Sequence, residues 1–175
     1  MIKYTLRALL FAFIIIVIQT TILTNLYFLP ILPDLLLILI LFISFFDGPI
    51  IGMTVAFLSG FILDVASLSP FGLNSFYLVQ LAFLMAELKK SFAARSIFLP
   101  CFTTLIATFL KALIFFVLAF FYGKSIKVYD FTNYVFWGEL LLNVVISPFL
   151  FKFFGLFDTF LKVPFRESLV NPKNN

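Results

Sequence analysis

Between Ala8 and Leu29 the chain carries no charged side chain, and this long apolar run restricts its fold more than any other feature. The hydrocarbon core of a bilayer is about 30 Å thick and is crossed by about 20 helical residues, so the run is long enough to span it. Lys3 and Arg7 precede the run, as in a secretory signal, but no small-residue cleavage pattern follows it. We therefore expect an uncleaved first transmembrane helix.

The composition of the whole chain indicates an integral membrane protein. Hydrophobic residues make up 63% of the 175 residues and charged residues only 11%, and the mean hydropathy is +1.19. This length favours one domain. The net charge of +4 is typical of cytoplasmic loops in a membrane protein and does not require a nucleic-acid partner.

Six apolar segments, separated by prolines, glycines and charged residues, predict an all-α integral membrane protein with six transmembrane helices. Their approximate bounds are 6–29, 33–46, 49–68, 72–88, 97–122 and 133–155. Together they form a predicted transmembrane domain over residues 1–160, followed by a short cytoplasmic tail over residues 161–175. The second segment is short for a bilayer, so it either spans with a tilt or inserts only partly.

The distribution of lysine and arginine predicts that both termini are cytoplasmic. With six spans, nine basic residues then lie on the cytoplasmic side: Lys3, Arg7, Lys89, Lys90, Arg95, Lys152, Lys162, Arg166 and Lys173. Only Lys124 and Lys127 lie outside, and Lys111 falls within the fifth span. The opposite orientation would invert this positive-inside bias.

Three ionisable side chains fall deep within the predicted spans, namely Asp64, Lys111 and Glu139. At a helical rise of about 1.5 Å per residue, all three lie in the outer half of the membrane at a similar depth. Because an isolated charge inside a bilayer is costly, we predict that they face inward as one network, with Asn143 adding hydrogen bonds. The alternative is that each side chain reaches the outer interface separately.

Asp64 also has a purely local interpretation. The residues that follow it include the stretch SLSPFGLN, in which Pro70 and Gly72 predict a turn. Asp64 then helps to close this helical hairpin, alone or in addition to the network. In the last span, Pro148 predicts a kink.

Small residues recur every four positions along the third span, at Gly48, Gly52, Ala56 and Gly60. This spacing keeps them near one face of a helix, and small side chains let a second helix approach closely. We predict a helix-packing seam, either within the bundle or against a partner. The alternative is the general abundance of small residues in membrane helices.

No catalytic constellation is present in the sequence. The chain has no histidine, a single cysteine at Cys101 and no phosphate-binding glycine loop. We therefore predict a protein that is not an enzyme and that has no catalytic residue, metal site or cofactor. Two classes remain: a scaffold for other membrane proteins, and a subunit that binds a small ligand among its helices.

The stretches LPDLLLILILFISF and GMTVAFLSGFILDVASLSPFGLNSFYLVQ resemble the MreD family of bacterial rod shape-determining proteins. The matching features are a proline before the second span, a glycine four residues before an aspartate, a proline–glycine turn and an Asn–Pro pair in the last span: Pro33, Gly60, Asp64, Pro70, Gly72, Asn143 and Pro148. Lys111 has no counterpart in that pattern.

The resemblance implies a membrane scaffold of the cell-elongation complex, in the bacterial inner membrane, that helps organise lateral peptidoglycan synthesis and cell shape. The implied partners are the single-span protein MreC and, through it, actin-like MreB, the polymerase RodA and its transpeptidase. The lipid bilayer is also a partner, and nucleic acid is not. The implied fold is similar to the substrate-binding subunit of energy-coupling-factor vitamin transporters, so a vitamin-binding membrane subunit is the alternative function.

Overall fold

The computed structural model describes residues 2–23, 31–67, 69–89, 98–122 and 131–157. Within these ranges the chain forms six α-helices and no β-strand, which confirms the all-α prediction. The helices are α1 (Ile2–Val17), α2 (Leu35–Asp47), α3 (Pro49–Ser67), α4 (Leu73–Leu88), α5 (Phe98–Tyr122) and α6 (Tyr134–Leu156), and α1 continues into a π-helical segment (Ile18–Leu23).

Four helical stretches are long and apolar enough to cross a membrane: Lys3–Thr21, Pro49–Ser67, Phe98–Phe121 and Tyr134–Leu156. The other two helices, α2 and α4, are apolar but have only 13 and 16 residues. At 1.5 Å per residue they measure about 20 and 24 Å, which is less than the roughly 30 Å of a bilayer core. The short second segment expected from the sequence is thus a short helix.

Two helix starts differ by more than one residue from their predicted positions. The first helix begins at Ile2, four residues before the predicted bound, and residues 24–29 of the predicted span lie outside the described residues. The second helix begins at Leu35 and not at Pro33. The reason is local, because Asp34 caps this helix with its side-chain carboxylate.

The short helix α2 is the centre of the bundle. It packs against all five other helices, and every residue from Leu36 to Phe45 is buried. Its sequence, LLLILILFISFFD, has apolar residues on every side, which is typical of a helix enclosed by its neighbours. The two most extensive contacts elsewhere join α3 to α4 and α5 to α6.

Phenylalanine rings pack α1, α2 and α6 together. Phe42 of α2 makes edge contacts with Phe151 and Phe154 of α6, with ring centroids 5.5 and 5.7 Å apart. The ring of Phe11 on α1 makes an edge contact with Phe154; the ring centroids lie 5.7 Å apart and the angle between the ring planes is 87°. Each such pair contributes about 0.5–1.5 kcal/mol beyond its buried area.

Pro148 lies inside α6 without ending it. A proline has no N–H, so the carbonyl of Val144, one turn earlier, loses its usual helical donor. The hydroxyl of Ser147 donates to that carbonyl at 3.0 Å and replaces the missing bond. This substitution explains how α6 continues through a helix-breaking residue.

Candidate functional site

A group of buried and partly buried polar side chains surrounds the N-terminal end of α2. Its members come from the π-helical segment, the residue before α2, α5 and α6. We name it the polar cluster and define it by Gln19, Asp34, Lys111, Glu139 and Asn143.

Lys111 is the charged centre of the polar cluster. Its Nζ atom lies 2.6 Å from Asp34 Oδ2 and 2.9 Å from Glu139 Oε1, so one ammonium group pairs with two carboxylates. The side chains of Lys111, Asp34 and Glu139 are only 10%, 4% and 14% exposed. The same ammonium lies 5.7 Å from the ring centroid of Tyr77 on α4. Lys111 therefore contacts α4, α6 and the start of α2 from its position on α5.

The uncharged members bind the free backbone groups at the start of α2. Asn143 Oδ1 accepts a hydrogen bond from the amide of Asp34 at 2.8 Å, and Gln19 Oε1 accepts from the amide of Leu36 at 3.0 Å. Asp34 Oδ1 accepts from the amide of Leu37 at 3.1 Å. A helix start has no intrahelical partners for these N–H groups, and water is absent from a bilayer core. Side chains from three segments supply those partners.

A row of polar residues on α5 (Thr104, Thr108 and Lys111) faces a row on α6 (Glu139 and Asn143) in antiparallel register. Lys111 meets Glu139, and one turn away Thr108 Oγ1 accepts from Asn143 Nδ2 at 3.4 Å. Thr104, the next residue in the α5 row, is fully buried, and its hydroxyl has no hydrogen-bond partner among the described residues. The structure thus brings three of the four predicted network residues together.

The chemistry available to the polar cluster is ion pairing and hydrogen bonding. A buried charge that loses its partner costs about 3–5 kcal/mol, so each ion pair ties together the helices that carry it. Among the residues that the structure describes, no group of three His, Cys, Asp or Glu side chains is arranged to hold a metal ion. The polar cluster therefore holds α2, α5 and α6 together through ion pairs and hydrogen bonds.

Asp64 does not join the polar cluster, and the predicted four-residue network is corrected on this point. It is 1% exposed, and its hydrogen bonds run to residues shortly after it in the chain. The physical reason is the helix arrangement: α3 packs on α4, α2 and α1, whereas Lys111 belongs to α5, which packs on α6, α4 and α2. The local interpretation of Asp64 describes the observed geometry.

The carboxylate of Asp64 closes the turn between α3 and α4. It accepts from the amides of Gly72 and Asn74, both at 2.9 Å, from the side-chain amide of Asn74 at 2.8 Å and from the Ser69 hydroxyl at 3.2 Å. Gly72 has a φ of +87°, a conformation that favours glycine, and the carbonyl of Pro70 accepts from the amide three residues on. Four donors on one carboxylate fix this turn.

Replacing Asp64 with Ala is expected to destabilise the protein by about 2–3 kcal/mol, because the buried amide of Asn74, the partly buried amide of Gly72 and the Asn74 side chain lose a charged acceptor. Asp64→Asn should cost less, since its single side-chain oxygen still accepts. The free energy of unfolding in detergent measures both. Equal stability of Asp64→Ala and the parent would contradict the closing role, and Thr54→Ala on the exposed face of α3 is the control.

The small residues of α3 separate into two groups. Gly52 faces Ser44 of α2, and Gly60 faces the backbone of Ser75 on α4, where an added Cβ would lie 2.5 Å from the Ser75 Cα. Ala56, between them, is fully buried. These three residues pack within the bundle. The prediction that Gly48 belongs to the helix-packing seam is corrected. Its φ is +95°, and no described residue lies within 4 Å of an added Cβ, so Gly48 is the turn glycine after α2.

Two members of the polar cluster, Asp34 and Gln19, are missing from the sequence-based prediction. Asp34 stands beside Pro33, where a charge marks the edge of a span and does not indicate a buried group. The available signal is the capping pattern, an aspartate directly before an uninterrupted apolar run. Gln19 gives no comparable signal, because its reach to α2 follows from the π-helical turn that carries it.

Comparison with known proteins identifies the family. No curated protein and no solved structure matches this chain significantly, so the expected likeness to a vitamin-transporter subunit stays a prediction. The family model of the rod shape-determining protein MreD matches residues 1–158, which include all six helices. The match therefore covers the whole helical bundle. The chain belongs to the MreD family of rod shape-determining membrane proteins.

Proposed function

We propose that the chain is a non-enzymatic scaffold of the cell-elongation complex that helps organise lateral peptidoglycan synthesis. The observation that carries this proposal is the family match over residues 1–158. The match extends across every helix of the bundle, so it concerns the whole architecture and not one short motif.

The bonding of the polar groups supports a scaffold. Lys111 pairs with Asp34 and Glu139, and Asp64 binds the turn that follows it. These charges hold helices and turns in place, as a protein needs when it presents fixed surfaces to neighbours. A bound ligand would have to compete with bonds that are already made.

The outer faces of the long helices are apolar and bulky. On α5 and α6 the exposed residues include Phe102, Phe109, Phe116, Trp137, Leu141, Val145, Phe149 and Phe153. In a membrane such faces contact lipid chains and the helices of other proteins. The predicted six-helix membrane domain over residues 1–160 and cytoplasmic tail over 161–175 are part of this proposal.

The resemblance to the MreD family is the basis for proposing specific partners. We propose that it binds MreC directly and, through it, MreB, RodA and the transpeptidase of RodA. The proposed location is the bacterial inner membrane with both termini cytoplasmic, which is supported by the excess of basic residues in the corresponding loops.

Purification from the native bacterium in a mild detergent tests this proposal. We expect MreC to be recovered with the chain, and depletion of the chain to turn rods into rounded cells. Recovery of the folded chain without MreC, or rod-shaped cells after depletion, would contradict the proposed function.

A further inference from the structure

Gln80 is an exposed amide in the middle of a membrane helix. It lies on α4, about 10 Å from the start of the helix and 12 Å from its end at 1.5 Å per residue. No hydrogen bond joins its side chain to any residue of the chain that the structure describes. The other side-chain amides on or beside the helices, those of Gln19, Asn74, Asn133 and Asn143, are all bonded.

An amide in this position needs a partner. Lipid chains offer no hydrogen-bonding group, and an unsatisfied amide in hydrocarbon is strongly unfavourable. Thr54, an exposed polar residue of α3, avoids the problem because its hydroxyl donates to the carbonyl of Ile50 at 2.7 Å. Gln80 makes no such bond to the described part of the chain, and a polar group on the helix of another membrane protein would satisfy its amide.

The surface around Gln80 has the shape of a helix-docking face. Phe76, Phe83 and Leu84 are exposed on the same side of α4, at helical spacing from Gln80. Leu84 also lines a small apolar crevice between α4, α5 and α2. We name this surface the α4 face and define it by Phe76, Gln80, Phe83 and Leu84.

We propose that the α4 face binds a single transmembrane helix of another protein, and that this helix carries Ser, Thr, Asn or Gln at the depth of Gln80. Polar side chains of this kind form hydrogen bonds across membrane helix pairs, and small residues allow the close approach that they need. The proposal rests on the proposed function, because it places the single-span partner of the scaffold on one helix.

A partner helix fits this surface better than a second copy of the chain. In a two-fold contact between two α4 helices, the large Phe76 and Phe83 rings of one copy would meet the same rings of the other. Two bulky faces hold helix axes apart, whereas the amide of Gln80 needs close approach. A helix with small side chains next to its polar residue can pack beside the phenylalanine rings and still approach Gln80 closely enough for a hydrogen bond.

Photo-crosslinking in the full-length protein tests the location. A benzophenone amino acid replaces Phe76 or Phe83, with Gln80 unchanged, in cells that also express MreC. We expect crosslinks to MreC from these two positions and not from Phe149, an equally lipid-exposed phenylalanine of α6. Crosslinks from Phe149 alone, or crosslinks from the α4 face only to a second copy of the chain, would overturn the proposal.

Substitution of Gln80 tests the hydrogen bond. Gln80→Leu should reduce the affinity for MreC about three- to tenfold, the effect of one interhelical hydrogen bond in a membrane, while Gln80→Asn should retain most of it. Thr54→Val is the matched control and should leave affinity unchanged, because the threonine hydroxyl bonds its own helix.

The possible failures are distinguishable. If MreC binds neither the parent nor any variant, the proposed function fails. If MreC binds the parent and Gln80→Leu equally, while crosslinks arise elsewhere, the α4 face is not the site and the proposed function stands.

Discussion

Replacing Lys111 with Met is expected to destabilise the protein by about 3–5 kcal/mol. The ammonium lies 2.6 Å from Asp34 and 2.9 Å from Glu139; the first carboxylate is buried and the second is partly buried. Without it, two negative charges remain in a medium that solvates them poorly and repel each other. The free energy of unfolding, from a denaturing-detergent titration followed by circular dichroism, measures the loss.

The control for this prediction removes all three charges together. In the variant Asp34→Asn, Lys111→Met, Glu139→Gln no uncompensated charge remains, and the side-chain oxygen of the new asparagine can still cap α2. Replacing a buried ion pair by neutral groups is often nearly neutral in stability, so most of the loss should be recovered. If the single and triple variants were equally unstable, the cost would come from packing of the lysine and not from its charge.

Replacing Gly60 with Ala is expected to destabilise the protein by about 1–3 kcal/mol through overpacking. The new Cβ would lie 2.5 Å from the Cα and 2.6 Å from the amide nitrogen of Ser75. Both are backbone atoms of α4, so the clash is relieved only by moving the two helices apart. This helix pair has the most extensive contact in the bundle. Thermal unfolding in detergent reports the change.

Two other glycines provide matched controls for Gly60. At Gly155 of α6 an added Cβ meets no described residue within 4 Å, so Gly155→Ala should be neutral or slightly stabilising, because alanine favours a helix by up to about 1 kcal/mol. At Gly138 the three described atoms nearest to the added Cβ all belong to the flexible Ile31 side chain, and an intermediate effect is expected. Equal effects at Gly60 and Gly155 would contradict a close contact between α3 and α4.

The helices of this protein are predictable from sequence because apolar runs and their proline and glycine boundaries are local features. The central position of α2 has a local signal too, since its sequence is apolar on every side. The predicted start of α2 is wrong by two residues, because Pro33 resembles a boundary while the cap is Asp34. The spacing of apolar residues in the sequence does not predict the π-helical turn at Ile18–Leu23.

The polar cluster is only partly predictable, because its pairing is decided by tertiary packing. Their similar depth in the outer half of the membrane predicts that Lys111, Glu139 and Asn143 form one network, and the structure brings these three residues together. Depth along the membrane suggests that Asp64 joins them, but depth does not say which helices are adjacent. The second carboxylate that pairs with Lys111, besides that of Glu139, belongs to Asp34, which is 77 residues away along the chain.

The charges of the polar cluster, on this account, hold the bundle together and take no part in chemistry or transport. Expression of the triple variant of Asp34, Lys111 and Glu139 in cells depleted of the parent chain tests this claim most directly. At parental abundance, with the free energy of unfolding recovered, the variant is predicted to restore rod shape and to retain MreC. Rounded cells despite a stable and abundant triple variant would contradict the claim.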